Sequence, residues 1–145
     1  MTVTVRLATP ADVAALVVMN RHLIEDQHHD STASDDDLER RMRRWITGTE
    51  YAVGVVELED GPVAYAVWRD DEDGIYLRQF FVSRDHRRSG VGRAGFTALR
   101  DRWTARPVKL DVLIHNDRGL AFWRSLGFRD YSMILSLPID VADED

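Results

Sequence analysis

Three apolar runs, Tyr51 to Leu58, Pro62 to Arg69 and Ile75 to Val82, follow one another with only Asp60-Gly61 and the acidic stretch Asp70 to Gly74 between them. No other feature constrains the fold as strongly. Turns this short, built from aspartate and glycine, reverse the chain at once, so the three runs are expected to pair as an antiparallel meander. The flanking segments carry a different period. Val13, Leu16, Val17, Asn20, Leu23 and Ile24 fall on one helical stripe. Ahead of them, Thr9-Pro10-Ala11-Asp12 supplies a cap, a proline for the first turn and an acidic residue facing the helix dipole. Leu38, Met42, Trp45 and Ile46 form the inner face of a second helix, and Asp35, Asp36 and Asp37 suit its positive end.

The remaining elements follow from the same signals. Residues 1–7 alternate like a strand. A polar, basic segment, Ser83 to Ser89, leads through Gly90 and Gly92 into a helix over Val91 to Trp103. Pro107 opens a strand over Val108 to Ile114, with Val108, Leu110, Val112 and Ile114 on one face. Asn116-Asp117 caps a helix carrying Leu120, Ala121, Phe122 and Leu126 and stopped by Gly127. A last strand is expected over Tyr131 to Leu137, before an acidic end, Asp140 to Asp145, that frays. The predicted order is β-α-α-β-β-β-α-β-α-β, a mixed α/β (α+β) sheet whose antiparallel half feeds a pair of crossover units. A chain of 145 residues suits one domain over 1–145, and no internal repeat or linker interrupts it.

Composition narrows the chemistry. The absence of cysteine removes disulfides, thiolate metal sites and any cysteinyl intermediate. A net charge of -6 argues against broad binding of nucleic acid, which leaves only the local basic patch from Arg84 to Arg93. No apolar run approaches a membrane span, and the first residues lack the pattern of a signal peptide, so a cytoplasmic protein without a membrane partner is expected. His22, His28 and His29 cluster near the end of the first helix, but sequential neighbours rarely share one ion, and no His-Glu-x-x-His pattern accompanies them. No metal is expected.

The segment with chemical content is Phe80 to Arg93, which joins the end of a buried strand to the start of a helix. Gly90 and Gly92 allow backbone angles and close approach that side chains block, so successive N–H groups can converge on an anion at the positive helix end. Arg87, Arg88 and Arg93 add planar cationic heads suited to phosphate oxygens. The segment is neither a nucleotide-hydrolase phosphate loop nor a dinucleotide fingerprint, since it lacks both spacings.

Arg87-Arg88-Ser89-Gly90-Val91-Gly92 resembles the Arg/Gln-x-x-Gly-x-Gly/Ala signature of the GNAT superfamily of N-acetyltransferases, placed as in that family directly after the central strand. Asn116 to Phe128, ending in Leu126-Gly127-Phe128, looks like the family's second cofactor element, and Val5 to Asp12 is similar to its opening strand and helix start. The resemblance implies acetyl-CoA as co-substrate and a sheet splayed between Ile75–Val82 and Val108–Ile114. It implies a pyrophosphate cradle of Arg87, Arg88, Ser89, Gly90, Val91, Gly92 and Arg93, with backbone groups of Phe81 and Val82 along pantetheine. Asn116 resembles the residue that reaches the cofactor through its amide, with helix capping as its other reading. Trp123 stands where many members place a tyrosine proposed to protonate the departing thiolate. Indole is no acid at neutral pH, so that proton source departs from the pattern, although Trp123 can still pack on the cofactor.

The strand Ile75 to Val82 holds Tyr76, Arg78 and Gln79 but no carboxylate or histidine. Tyr76, Arg78 and Asn116 are the catalytic candidates, and Arg78, Glu25 and His28 the candidates for contact with the acceptor, with Arg78 suited to an acidic group on it. The resemblance implies direct transfer of an acetyl group to the amine of a small molecule or peptide, within a protein that dimerises in many relatives. Two alternatives stand beside it: a catalytically silent acyl-CoA-binding or sensor domain, and a dimeric interaction module with the same fold.

Overall fold

A computed structural model describes residues 2–27 and 32–139. They divide into two compact units, the first ending at Leu113 and the second beginning at Ile114. In the first unit the meander forms as its turns require. Strands β1 (Thr4–Leu7), β2 (Ala52–Leu58), β3 (Gly61–Asp71) and β4 (Gly74–Val82) pair antiparallel in that order, and β5 (Val108–Lys109) adds in parallel to β4. Helices α1 (Val13–Asp26) and α2 (Asp35–Thr47) separate β1 from β2, and α3 (Val91–Arg102) crosses from β4 to β5.

The helix starts are set by short-range hydrogen bonds. Pro10 to Asp12 form a 3-10 turn before α1, closed by the Thr9 N–H donating to Asp12 Oδ2 at 2.8 Å. Arg6 locks this corner, with Nη2 2.8 Å from Asp12 Oδ1 and Nε 2.8 Å from Glu57 Oε1. The cap of α2 is Ser34: its Oγ accepts from the Asp37 N–H at 3.1 Å while Asp37 Oδ2 accepts from the Ser34 N–H at 3.0 Å. The reciprocal pair satisfies two N–H groups that a helix start otherwise leaves open.

The sheet is covered on both faces. On one, Leu16 and Met19 of α1 and Met42 and Trp45 of α2 pack on Val53, Val55, Tyr65, Val67 and Phe81. On the other, Val91 of α3 meets Val56, Val63 and Ala64, and Phe96 stands edge-on to Phe80 and Trp103 at centroid distances of 6.4 and 6.1 Å. The core of the first unit is therefore the two sides of β2 to β4.

Two irregularities matter for function. The β3–β4 register pairs Val67 with Gln79 but Trp68 with Leu77, so Arg78 is an extra residue on β4, a bulge in its middle. The parallel ladder with β5 covers only Ile75 with Val108 and Tyr76 with Lys109. The strand expected over Val108 to Ile114 is thus two residues long. A bulge bends its own strand, and the ladder stops just before Arg78, which leaves the outer edge of β4 from Leu77 onward outside it.

The second unit contains α4 (Asp117–Ser125), capped by Asn116, whose Oδ1 accepts from the Gly119 N–H at 3.0 Å. At its other end the Phe128 and Gly127 N–H groups donate to the carbonyls of Trp123 and Arg124 at 3.1 and 3.0 Å, with Gly127 at φ 100°. This is the αL closure the Leu126-Gly127-Phe128 triplet suggests. The strand expected over Tyr131 to Leu137 does not form, and that part of the predicted order is corrected. Alternation gives a segment one apolar face, but a strand needs an edge to bond to, and α4 is the one regular element within this unit among the described residues.

Candidate functional site

The loop after β4 opens α3 on an unusual backbone. A 3-10 turn at Arg84–His86 is followed by Arg88 at φ 59° and Gly90 at φ 87°, ψ 0°, the left-handed region. A Cβ built at Gly90 meets no atom within 4 Å, so backbone angle, not crowding, calls for glycine here. No side chain caps α3, and its first bond runs from the Ala94 N–H to the Gly90 carbonyl at 3.0 Å. The N–H groups of Val91, Gly92 and Arg93 precede that bond, at the positive end of the helix. The Val91 side chain itself is buried in the core, which leaves its backbone for any ligand. Arg88 and Ser89 are exposed, and Ser89 Oγ donates to the His86 carbonyl.

Arg87 is held on three sides. Its Nη2 lies 2.6 Å from Asp26 Oδ2, its Nε donates to the Val82 carbonyl at 3.2 Å, and its guanidinium carbon sits 5.0 Å from the centre of the Phe81 ring. Arg84 pairs with Asp26 at 2.9 Å and with Glu25 at 3.1 Å. Partial burial opposes ionisation of Asp26, but the bonds from Arg87 and Arg84 outweigh it and hold its carboxyl below the usual range. Glu25, expected near the acceptor, thus stands against the basic loop. His28 lies outside the described residues. Phe81 is buried and Val82 partly so.

A second cluster occupies the α1/α2 face of the sheet around the bulge. Arg78 Nη1 donates to Tyr51 Oη at 3.1 Å, and its guanidinium carbon lies 5.2 Å from the centre of the Trp45 ring. Arg41, from α2, lies 4.5 Å over the same indole and donates to Asn20 Oδ1 at 3.1 Å. Asn20 is fully buried, and Gln79 Oε1 accepts from Tyr65 Oη at 2.9 Å and from Asn20 Nδ2 at 3.5 Å. Burial pushes the Tyr65 hydroxyl far above its ordinary pKa, so it stays a donor. Tyr76 Oη donates to Asp111 Oδ2 at 2.8 Å, and burial first, then this bond, pushes its pKa up to about 12. Arg69 lies 4.7 Å over the Tyr76 ring and also donates to Tyr51 Oη, at 2.9 Å. The shallow cleft lined by Pro10, Val13, Val17, Asp35 and Arg43 contains none of these residues.

The structure therefore gathers Tyr76 and Arg78 on one face and supplies the carboxylate that β4 lacks from Asp111, just beyond β5. Asp111, Asn20, Arg41 and Asp26 are not among the residues that sequence reasoning selects. Asn20 alone carries a signal, a polar residue on an otherwise apolar helical stripe. In the second unit Asn116 is the cap of α4, and Trp123 packs between Phe122 and Phe128 at centroid distances of 4.9 and 5.2 Å. Among the described residues no group of three or more acidic or histidine side chains could hold a metal ion, and no helix is long and apolar enough to cross a membrane.

The sequence profile described as Acetyltransferase (GNAT) family matches residues 18–128. The chain belongs to the GNAT acetyltransferase family. The GNAT match takes in the glycine loop, the bulge at Arg78 and the α4 element together. No curated protein matches the sequence. Among solved structures, a tetramutant of the BH1408 protein from Bacillus halodurans is 22% identical, with a TM-score of 0.78 over 94% of this chain and 99% of that one. A possible acetyltransferase from Clostridium difficile 630 is 18% identical, with a TM-score of 0.78 over 97% and 100%. The aminoglycoside N-acetyltransferase AAC(6')-Iy, solved with CoA, is 15% identical, with a TM-score of 0.76 over 95% of each chain. At these identities the likeness is one of fold, and it is the GNAT fold.

Proposed function

We propose that the protein is an acetyl-CoA-dependent N-acetyltransferase that passes the acetyl group directly to an amine. The observation that carries this reading is the start of α3. A left-handed Gly90, no side-chain cap and N–H groups set ahead of the first helical bond, at the positive helix end, form a cradle suited to an anion. It follows a strand whose outer edge lies beyond the ladder with β5. These features fit a pyrophosphate and an extended amide chain. Arg87, Arg88, Ser89, Gly90, Val91, Gly92 and Arg93 would hold the former, and the backbone of Phe81 and Val82 the latter. By the family resemblance Asn116 and Trp123 would be further cofactor contacts, and the family match over residues 18–128 is what supports reading the chain as one domain.

Acetyl-CoA supplies an acetyl thioester, and the amine displaces the thiol from it. The chain's own residues hold the reactants and the proton. Tyr76 remains protonated at neutral pH and gives its one O–H to Asp111, so its oxygen is left as an acceptor for a hydrogen of the incoming amine, and the pair orients the amine rather than acting as a tyrosinate base. Holding amine and thioester together supplies most of the rate that such a transfer needs. Structurally similar acetyltransferases solved with CoA or a CoA bisubstrate analogue support the choice of cofactor.

Release of free thiol from acetyl-CoA in the presence of a panel of amines tests the reading. Acetyl-CoA binding without thiol release for any amine would instead favour the silent sensor that Trp123 suggests. Absence of binding would remove both.

A further inference from the structure

We propose that the acceptor amine carries an anionic oxyacid group, a carboxylate or a phosphate, which Arg41 and Arg78 hold over the face of Trp45. The inference rests on the N-acetyltransferase reading and names the acceptor class for it. Two guanidiniums converge on one indole, at 4.5 and 5.2 Å from its centre, and neither has a carboxylate partner among the described residues. Acids are not scarce: the chain has 25 Asp and Glu against 19 Lys and Arg, and Arg6, Arg21, Arg69, Arg84 and Arg87 all form ion pairs. Two like charges brought together without a counter-ion repel, and the repulsion is relieved by an anion between them.

Arg41 shows the unmet need most directly. Its Nε is buried and has no hydrogen-bond partner, while its Nη2 is spent on the buried Asn20. Burial, and after it the charge of Arg78, pulls its pKa below the ordinary arginine value. An unsatisfied charged donor is costly and is retained where a ligand completes it. Arg78 is aimed by the bulge, which turns an extra β4 side chain onto this face, and Tyr51 Oη fixes it at 3.1 Å. Planar guanidiniums pair with carboxylate and phosphate oxygens in forked geometry, and aromatic walls strengthen the pairing by excluding water.

The same charges discriminate. A polycationic acceptor, such as the sisomicin held by one structurally similar aminoglycoside acetyltransferase, would meet Arg41, Arg78 and the nearby Arg44. Like charges set together in this way reject a ligand as effectively as good contacts attract one. An amino acid, a peptide terminus or a phosphorylated amine fits instead.

The test is calorimetric titration of the full chain, with saturating CoA, against N-acetyl amino acids, their C-terminal amides, N-acetyl phosphoethanolamine and an aminoglycoside. The carboxylates are expected to bind at least about tenfold more tightly than the amides, the yield of a charge-assisted bidentate contact. That preference should disappear in Arg41→Gln and Arg78→Gln and persist in part in Arg41→Lys and Arg78→Lys. Unchanged acetyl-CoA affinity in each variant shows that the fold is intact. Tighter binding of the phosphate probe than of the carboxylates supports the proposal with phosphate as the group. Equal binding of acid and amide, preference for the aminoglycoside, no binding of any probe, or a preference that survives both Gln variants overturns it. Failure of acetyl-CoA itself to bind is a separate result and sinks the enzymatic reading instead.

Discussion

Tyr76 and Asp111 meet across the point where β4 and β5 part, the phenol donating to the carboxylate at 2.8 Å. The parallel ladder ends at Tyr76 and Lys109, and two residues further along that chain Asp111 reaches back to the phenol. The pair therefore stands at the end of the ladder, on the strand whose further edge is proposed to hold the amide chain of the cofactor. Its titration gives a direct check. Because burial and Asp111 push the phenol up to about 12, stability from this contact is present below the unfolded tyrosine value near 10 and is lost as pH rises through the folded value. An absorbance titration should show Tyr76 ionising late, as the buried Tyr65 also does, and Tyr76→Phe should remove the step near 12 while leaving that of Tyr65. An inflection in the rate below about pH 9 that vanishes in Tyr76→Phe would contradict the assignment of Tyr76 as a protonated donor.

Arg6, Asp12 and Glu57 give the second prediction. The Arg6 guanidinium, first through its hydrogen bonds, lowers the Asp12 carboxyl to about 2 against partial burial. A depressed carboxylate stabilises the fold above its unfolded value of 3.8, and that share is lost as pH falls towards 2. Since Arg6 is partly exposed, Asp12→Asn should cost about 1–2 kcal/mol at neutral pH, and the difference from the parent should vanish near pH 2. Urea unfolding at several pH values measures it.

Gly90→Ala is the third. Its left-handed angle is strained for any residue with a Cβ, at a cost of about 1–2 kcal/mol, although nothing stands in the way of the methyl group. Thermal unfolding should fall by several degrees, and acetyl-CoA affinity by more than that loss of stability accounts for, since the loop must rearrange.

The ion pairs of Asp26 give the fourth. Its carboxylate occupies the guanidinium of Arg87 at 2.6 Å and that of Arg84 at 2.9 Å, both in the basic loop. A pyrophosphate must compete with it. Asp26→Asn should tighten acetyl-CoA binding several-fold, with the largest gain at low ionic strength, as measured by titration at two or more salt concentrations. Weaker binding would mean that Asp26 orients Arg87 for the cofactor instead of competing for it.

How much of this the residues announce depends on the range of the interaction. The meander is legible because Asp60-Gly61 and the 70–74 turn act within a few residues, and the faces of α1 and α2 because Leu16, Met42 and Trp45 repeat at helical spacing. The αL glycine at 90 is legible for the same reason. The bulge at Arg78 is not, because register shifts arise between strands and leave no mark on alternation along one. Asp111 and Asp26 escape notice because their partners, Tyr76 and Arg87, lie far away in sequence. The strand expected over Tyr131 to Leu137 shows the converse: alternation records a readiness to pair, and the partner edge decides the outcome.

The most direct measurement is calorimetric titration of acetyl-CoA into the parent chain and Gly90→Ala, backed by a structure of the complex. The account predicts saturable one-to-one binding that the substitution weakens, with the pyrophosphate on the N–H groups of Val91 to Arg93. No binding, or a pyrophosphate bound away from the start of α3, would contradict it.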